Sequence, residues 1–197
     1  DMLQKGIDIL LINPTDSVGV QSAVKSAHAA GVVVVAVDAQ ADGPLDSFVG
    51  SKNFDAGFQA CQYLAESIGD KGNIAILDGI AVVPILERVR GCKEAVAKHP
   101  DIKIIEKKTA NWDRAQAMTL TEDWLNAHPK GINGVIAQND DMALGAVQAL
   151  KSHGLTAKDV PVTSIDGMPD AIQAAKKDEV TTFLQDAQAQ SQGALDV

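Results

Sequence analysis

The sequence is poor in basic residues and has no long apolar run. Its 17 lysine and arginine residues are outnumbered by 26 aspartate and glutamate residues, giving a formal charge of −9. A nucleic-acid partner normally requires a clustered basic surface, so this balance argues against one. The longest apolar stretches, at residues 9–12 and 32–37, are far shorter than the roughly 20 residues that span a bilayer. No basic start followed by an apolar segment is present, which fits a mature chain, a cytosolic chain or a fragment.

Sequence patterns of catalysis and cofactor binding are also missing. Neither a GxGxxG pattern nor a GK[ST] loop occurs, which argues against dinucleotide binding. The four histidines are spread along the chain, and neither Ser51 nor Ser164 has a histidine partner in a recognisable motif. The sequence therefore predicts a protein that is not an enzyme, with no catalytic residue, no cofactor and no metal site.

Only two cysteines occur, Cys61 and Cys92, and both fall in predicted helices. They lack the CxxC or Cys/His spacing of a metal site. Buried, unpaired thiols are the favoured interpretation, and a disulfide is the alternative if the compartment is oxidising.

What the chain does contain is a regular alternation of apolar runs and amphipathic segments. A strand at residues 7–12 is followed by a turn and a helix that Gly31 ends, and similar units recur as far as residue 184. Alternating strands and helices joined by short loops predict an α/β fold whose parallel sheets are covered on both faces. Eight or nine strands are many for one sheet of this length. We therefore expect two lobes, with a crossover near Ser51, Lys52 and Asn53.

Three predicted strands end on hydrogen-bonding side chains. The segment GVIAQNDDMALGA, residues 134–146, predicts a buried strand that ends at Asn139, with Asp140 or Asp141 capping the next helix. Two other apolar runs end on Asp38 and Asp166. Each tip alone is more typical of a helix cap. Ligands of open α/β sheets bind at the carboxyl ends of strands, so the three tips together favour a site for a polar ligand with many hydroxyl groups.

Five segments, ILLINPTDS, VVAVDAQ, ILERVRGCKEAV, AQNDDMALGA and SIDGMPDA, resemble the ribose-type periplasmic sugar-binding proteins. This family provides the substrate-binding component of ABC importers, and the resemblance extends over essentially the whole chain. It implies a type I periplasmic binding fold, in which two doubly wound lobes joined by three crossovers close on a monosaccharide.

The resemblance also implies a set of ligand contacts. Matched position by position, the polar contacts to the sugar and the aromatic side chain that stacks on its ring fall on Asp38, Arg88, Trp112, Asn139, Asp166 and Gln185. The strand tips indicate three of these independently. The other three, Arg88, Trp112 and Gln185, rest on the resemblance alone.

Two of the implied contacts have structural alternatives. Arg88 can donate in a fork to two vicinal oxygens, or lie in an exposed salt bridge with Glu87 or Glu94. Trp112 can offer an apolar face to the C–H side of a sugar ring, or anchor a surface loop to the core. Trp124 lies at helical spacing with a leucine, and we expect it to pack in the core.

The chain departs from the family at Ala39, where an arginine usually follows the strand-end aspartate. One lost charged hydrogen bond costs roughly 1.5–3 kcal/mol, which is about tenfold to a hundredfold in affinity. We therefore expect a ligand other than ribose, or ribose bound more weakly, and the sugar is not named.

Judged against the family, the chain also lacks the first strand, the first helix, the second strand, most of the second helix and the final strands. Residues 1–50 with 186–197 are expected to form an incomplete N-terminal lobe. Residues 52–184 are expected to form the C-terminal lobe, with crossovers near residues 51–53 and 185.

These observations lead to one main functional hypothesis. The chain is expected to bind a small sugar or polyol, as a periplasmic or membrane-tethered monomer, and to deliver it to an ABC transporter permease, with a chemoreceptor as a further candidate partner. The alternative is the effector-sensing domain of a LacI-type transcription repressor. A small-molecule enzyme on a similar fold is the third hypothesis.

Overall fold

The computed structural model describes residues 2–196, which divide into two compact units. The first unit comprises the chain up to Lys52, Val82–Pro84 and the chain from Asp186 onward, and the second comprises Asn53–Ala81 and Ile85–Gln185. No helix within residues 2–196 is long and apolar enough to cross a membrane.

In chain order the elements are a 3₁₀ turn (Leu3–Lys5), β1 (Ile9–Ile12), α1 (Gln21–Ala29), β2 (Val33–Val37), β3 (Ser47–Val49), α2 (Asn53–Ser67), β4 (Lys71–Asp78), α3 (Val83–Val96), β5 (Asp101–Thr109), α4 (Arg114–Ala127), β6 (Gly134–Ala137), α5 (Asp140–Ser152), β7 (Val162–Asp166), α6 (Pro169–Ala175), β8 (Thr181–Leu184) and α7 (Ala187–Leu195). The predicted alternation of strands and helices is confirmed. The α/β class with parallel sheets is confirmed with it.

The first unit contains a parallel three-stranded sheet in the order β1-β2-β3. Helix α1 buries Val24 and Ala27 in a small core with Val34 and Ala36 of β2. Helix α7 packs against β2 and β3. The β-branched run of β2 suits a central strand, because such side chains pack well on a pleated surface.

The second unit is built on five parallel strands in the order β5-β4-β6-β7-β8. Strand β6 is central and buried on both faces, as its apolar sequence predicts. Its side chains alternate between two cores, because Val135 and Ala137 join the cluster that includes α4 and α5, whereas Ile136 joins the cluster that includes α2 and α3. Trp124 is 2% exposed in the first of these cores, which confirms the prediction that it packs inside.

The strand order creates a reversal point at the carboxyl edge of this sheet. From β4 the chain passes through α3 to β5 on one side, whereas β6, β7 and β8 follow one another on the other side. In open α/β sheets, the crevice outside the strand ends at such a reversal is where ligands bind.

Helices α2 and α3 approach closely enough to be joined by a disulfide between Cys61 and Cys92, whose Cα atoms are 5.1 Å apart. The expectation of unpaired thiols is therefore wrong. The reason lies in two glycines: a Cβ atom on Gly57 would come within 2.0 Å of the Arg88 carbonyl oxygen, and one on Gly91 within 2.1 Å of the Phe54 carbonyl oxygen. The spacing of the two cysteines along the sequence does not reveal that the backbones of their helices approach so closely.

Candidate functional site

Arg88 is the centre of a buried polar cluster in the second unit. Its side chain is 4% exposed, and Nε donates to Asn53 Oδ1 at 2.8 Å. Nη1 donates to the Gln138 carbonyl oxygen, and Nη2 donates to Gln185 Oε1. The guanidinium group also lies 3.7 Å from Asp166 Oδ1. One side chain therefore connects the beginning of α2 with the ends of β6, β7 and β8.

The alternative of an exposed Arg88 salt bridge is wrong. It is Arg90, two residues further along α3, that pairs with Glu87 at 2.6 Å, and the Arg90 side chain is 66% exposed. Arg88 lies on the buried face of the same helix because Gly57 admits its backbone close to α2.

Asp166 ends β7 in an unusual backbone conformation. Its φ angle is 143°, and Gly167 follows with φ of 79°. A non-glycine residue in such a region costs about 1–3 kcal/mol and persists where the surrounding structure holds it. The carboxylate is 28% exposed, so it can accept a hydrogen bond from a ligand hydroxyl while remaining near Arg88.

Asn139 caps α5, and the prediction that Asp140 or Asp141 provides this cap is wrong. Asn139 Oδ1 accepts a hydrogen bond from the Met142 amide at 3.0 Å. The cap uses the oxygen, so Nδ2 is the group of Asn139 that can donate to a ligand. Asp140 is fully buried and turned towards β7 and β8, because Ser164 Oγ, Thr182 Oγ1 and the Met168 amide all donate to it.

Trp112 lies in the turn between β5 and α4. Both Asn111 and Trp112 have positive φ angles, 54° and 67°. The indole ring lies against Gly79, where a Cβ atom would come within 2.3 Å of ring atom Cε2. Trp112 is partly buried against the core that includes α4 and α5. Part of its side chain therefore anchors the loop to the core, as the structural alternative predicts. The remaining exposed surface is available to a ring.

Arg114 joins the first turns of three helices at the same sheet edge. Its Nη2 atom lies 2.7 Å from Asp141 Oδ1 and 3.5 Å from Asp170 Oδ2. The hydrogen bond to Asp141 raises the pKa of Arg114 above its ordinary value. These ion pairs link the beginning of α4, which directly follows the Trp112 turn, with α5 and α6.

Asp78 ends β4 as a poorly solvated carboxylate. Its Oδ1 atom is buried and has no hydrogen-bond partner among residues 2–196, while Oδ2 lies 3.1 Å from Lys107 Nζ. Burial raises the pKa of Asp78 above its ordinary value, and the neighbouring Lys107 opposes this shift.

Asp38 belongs to the first unit, where it directly follows β2 and has a φ angle of 63°. Its amide donates to the Val49 carbonyl oxygen at 2.8 Å. Ala39, which stands where the arginine was expected, is 4% exposed.

The structure thus brings Arg88, Asp166 and Gln185 into one cluster, with Asn139 following the carbonyl that Arg88 contacts. Sequence reasoning missed Asn53 and Gln138, which complete the surroundings of Arg88. Both side-chain polar atoms of Gln138 are buried without a hydrogen-bond partner within residues 2–196. Unsatisfied buried polar atoms are uncommon, and nothing in the sequence signals this one.

A family described as "Periplasmic binding protein domain" matches residues 1–197. The xylitol-binding protein of Mycolicibacterium smegmatis is 39% identical over 100% of this chain and 56% of its own length. The ribose import binding protein RbsB of Bacillus subtilis is 38% identical over 89% of this chain and 56% of its own length. The chain thus spans little more than half the length of these two relatives.

Two solved structures have the same fold. A periplasmic solute-binding protein of an ABC transporter from Actinobacillus succinogenes, with bound D-allose, is 37% identical with a TM-score of 0.94, covering 99% of this chain and 72% of its own. A solute-binding protein from Bacillus halodurans, with bound myo-inositol, is 32% identical with a TM-score of 0.93, covering 100% of this chain and 69% of its own.

Proposed function

Because the chain belongs to the periplasmic binding protein family, we propose that it recognises a small sugar or polyol and serves an ABC importer. The observation that carries this proposal is the Arg88 cluster at the reversal point of the second sheet. A buried guanidinium group held by Asn53, Gln138 and Gln185 presents fixed donors beside Asp166. Donors and acceptors in fixed directions suit a ligand with several hydroxyl groups.

We further propose that six side chains contact the ligand. These are Asp38, Arg88, Trp112, Asn139, Asp166 and Gln185. The carboxylates accept from hydroxyl groups, Arg88 and Asn139 Nδ2 donate, and the indole face of Trp112 covers the apolar side of a ring.

The same chemistry supports a receptor without catalytic activity. The proposed contacts hold hydroxyl groups and include no nucleophile activated by a neighbouring base. Within residues 2–196, no three histidine, cysteine, aspartate or glutamate side chains are grouped so that they could hold a metal ion.

The disulfide supports a periplasmic or other extracytoplasmic location. Disulfides persist in oxidising compartments and are rare in the cytosol. The Cys61–Cys92 bridge therefore favours an importer component over the effector domain of a LacI-type repressor. The proposed protein acts as a monomer, with the transporter permease as its partner and a chemoreceptor as a further candidate.

A thermal-shift screen of the full-length protein tests this proposal. The panel contains pentoses, hexoses, polyols and unrelated polar metabolites, and a ligand at 100 times its dissociation constant should stabilise the protein by about 2.7 kcal/mol. We expect one sugar or polyol to shift the melting curve, and Asp166→Ala to abolish the shift. Asp123→Ala removes an exposed carboxylate from α4 and serves as the matched control that keeps the shift. A shift caused only by a metabolite of another class would refute the carbohydrate assignment.

A further inference from the structure

Asp140 connects three neighbouring strands of the second sheet. It is the first residue of α5, and its side chain is fully buried. Oδ1 accepts from Ser164 Oγ of β7 at 2.5 Å and from Thr182 Oγ1 of β8 at 2.6 Å. Oδ2 accepts from the Met168 amide at 2.6 Å. A single carboxylate therefore connects the end of β6 with β7, β8 and the turn after β7.

These hydrogen bonds converge on the turn that carries Asp166. Thr182 Oγ1, which donates to Asp140, also accepts from the Gly167 amide at 3.1 Å. The two amides that directly follow Asp166 are therefore both held, one by Thr182 and the other by Asp140. This arrangement supplies the support that the φ angle of 143° at Asp166 requires.

The connection extends to Gln185. In the parallel pairing of β7 with β8, Asp166 is the partner of Leu184, and the Gln185 amide donates to the Asp166 carbonyl oxygen at 2.9 Å. A displaced turn would therefore move both the Asp166 carboxylate and the backbone of Gln185, whose side chain accepts from Arg88.

The surroundings of Asp140 explain how a carboxylate can occupy this position. Three donors satisfy its two oxygens, and it lies in the first turn of α5, where the helix dipole favours negative charge. Its role is separate from capping, because Asn139 already provides the cap of α5.

We propose that Asp140 is a positioning residue, which fixes the Asp166 turn and the end of β8 in their ligand-binding geometry without contacting the ligand. This inference rests on the proposed function for its effect on affinity. The geometric part, that Asp140 and Thr182 hold the Gly167 and Met168 amides, stands independently of any ligand.

Thr182 gives a sharper test than Asp140, because removing a fully buried carboxylate endangers folding. Thr182→Val keeps the shape of the side chain but removes the hydroxyl group, whereas Thr182→Ser keeps the hydroxyl group. Ile74→Val, at a buried position in the middle of β4, is the control for a general loss of stability. All variants are made in the full-length protein.

The first measurement is amide hydrogen exchange without ligand, followed by NMR. In Thr182→Val, exchange of the Gly167 and Met168 amides should accelerate by at least about tenfold, since one hydrogen bond is lost and its neighbour loosened. Thr182→Ser and Ile74→Val should leave both amides protected. Unchanged protection in Thr182→Val would overturn the proposal.

The second measurement is calorimetric affinity for xylitol, ribose, D-allose and myo-inositol, using any of these that the unaltered protein binds. Thr182→Val should weaken binding about tenfold, Thr182→Ser should restore it, and Ile74→Val should leave it unchanged. If the exchange rates rise but affinity stays constant, the positioning role is refuted while the receptor function stands. If the unaltered protein binds none of the four, the receptor assignment is weakened, and the exchange data still decide the geometric part, that Thr182 and Asp140 hold the Gly167 and Met168 amides.

Discussion

Gly57 of α2 lies directly against the backbone of Arg88 on α3. A Cβ atom on Gly57 would come within 2.0 Å of the Arg88 carbonyl oxygen and 2.6 Å of its Cα atom. Cys61 and Cys92 lie one helical turn beyond these two residues, and their disulfide holds the same pair of helices together. Arg88 can occupy this position because Gly57, which lies opposite it, has no side chain.

Gly57→Ala should displace α3 and weaken ligand binding. The added methyl group meets backbone, which cannot rotate away, so we expect the free energy of unfolding to fall by about 1–3 kcal/mol. Gly193→Ala in α7 is the matched control, because its Cβ atom would have its nearest contact at 3.4 Å. Urea unfolding and calorimetric titration measure the two effects. Unchanged affinity in Gly57→Ala would contradict the role assigned to this contact.

Removal of the disulfide should destabilise the protein. For the double variant Cys61→Ala/Cys92→Ala we expect a loss of about 2–4 kcal/mol in unfolding free energy, because the unfolded chain gains freedom. Urea unfolding with and without dithiothreitol measures this. The reductant should lower the midpoint of the unaltered protein and leave that of the double variant where it was. A reductant-insensitive midpoint in both proteins would argue against the bridge.

Arg88→Met should nearly abolish ligand binding. It preserves much of the side-chain length but leaves Asn53, Gln138 and Gln185 without their donor, and a charged hydrogen bond is worth about 1.5–3 kcal/mol. We expect affinity to fall at least about a hundredfold. Arg90→Met, on the exposed side of the same helix, should change affinity less than about twofold, because exposed ion pairs contribute little. Equal effects of the two substitutions would refute the assignment.

Substitutions of Asn139 can separate helix capping from ligand contact. Asn139→Asp keeps an oxygen acceptor for the Met142 amide but loses the Nδ2 donor, whereas Asn139→Ala loses both. We expect both variants to bind weakly, and only Asn139→Ala to lose about 0.5–2 kcal/mol of stability. Thermal unfolding and affinity are measured on the same samples. Normal binding by Asn139→Asp would leave Asn139 with the cap as its sole function.

The raised pKa of Asp78 predicts a pH-dependent contribution to stability. Burial favours the protonated folded form, so this contribution is fully present below the unfolded pKa of about 3.8 and is lost as pH rises through the higher folded pKa. Asp78→Asn should therefore gain stability relative to the unaltered protein as pH rises across this window. Chemical unfolding at a series of pH values checks the direction.

The pKa of Asp159 is shifted in the opposite direction to that of Asp78. Hydrogen bonds from Thr156 lower the pKa of Asp159, so its contribution is present above about pH 3.8 and is lost as pH falls through the lower folded pKa. Asp159→Asn should therefore be less stable than the unaltered protein above about pH 3.8. This difference in unfolding free energy should disappear as pH falls through the lower folded pKa. The same pH trend for both variants would contradict the assigned causes.

The sequence was sufficient to predict the elements that repeat a simple pattern. Strand β6 and the acidic first turn of α5 follow from an apolar run and two aspartates, and both are present. The isoleucines within residues 102–105 indicate only the first part of β5, because the next residues, Glu106, Lys107 and Lys108, are charged. The structure extends it to Thr109, since an edge strand can keep charged side chains in solvent.

Less of the candidate site than of the fold could be predicted from the sequence. Asp38 and Asp166 could be placed at strand ends by pattern alone, but the burial of Arg88 depends on Gly57, which lies 31 residues earlier on another helix. The side-chain direction of Asp140 had no local signature either, because a first-turn acid looks the same whether it faces solvent or β8. Long-range contacts of this type are set by packing and are absent from local periodicity.

The separation of supporting groups from contacting groups has an evolutionary consequence. Asp140, Thr182, Gly57 and the disulfide are not among the six proposed ligand contacts, so we expect that those six side chains can be exchanged without rebuilding the sheet. Homologous structures that superpose with TM-scores of 0.94 and 0.93 hold ligands as different as D-allose and myo-inositol. We expect a scaffold divided in this way to keep its architecture when the ligand-contacting side chains are exchanged.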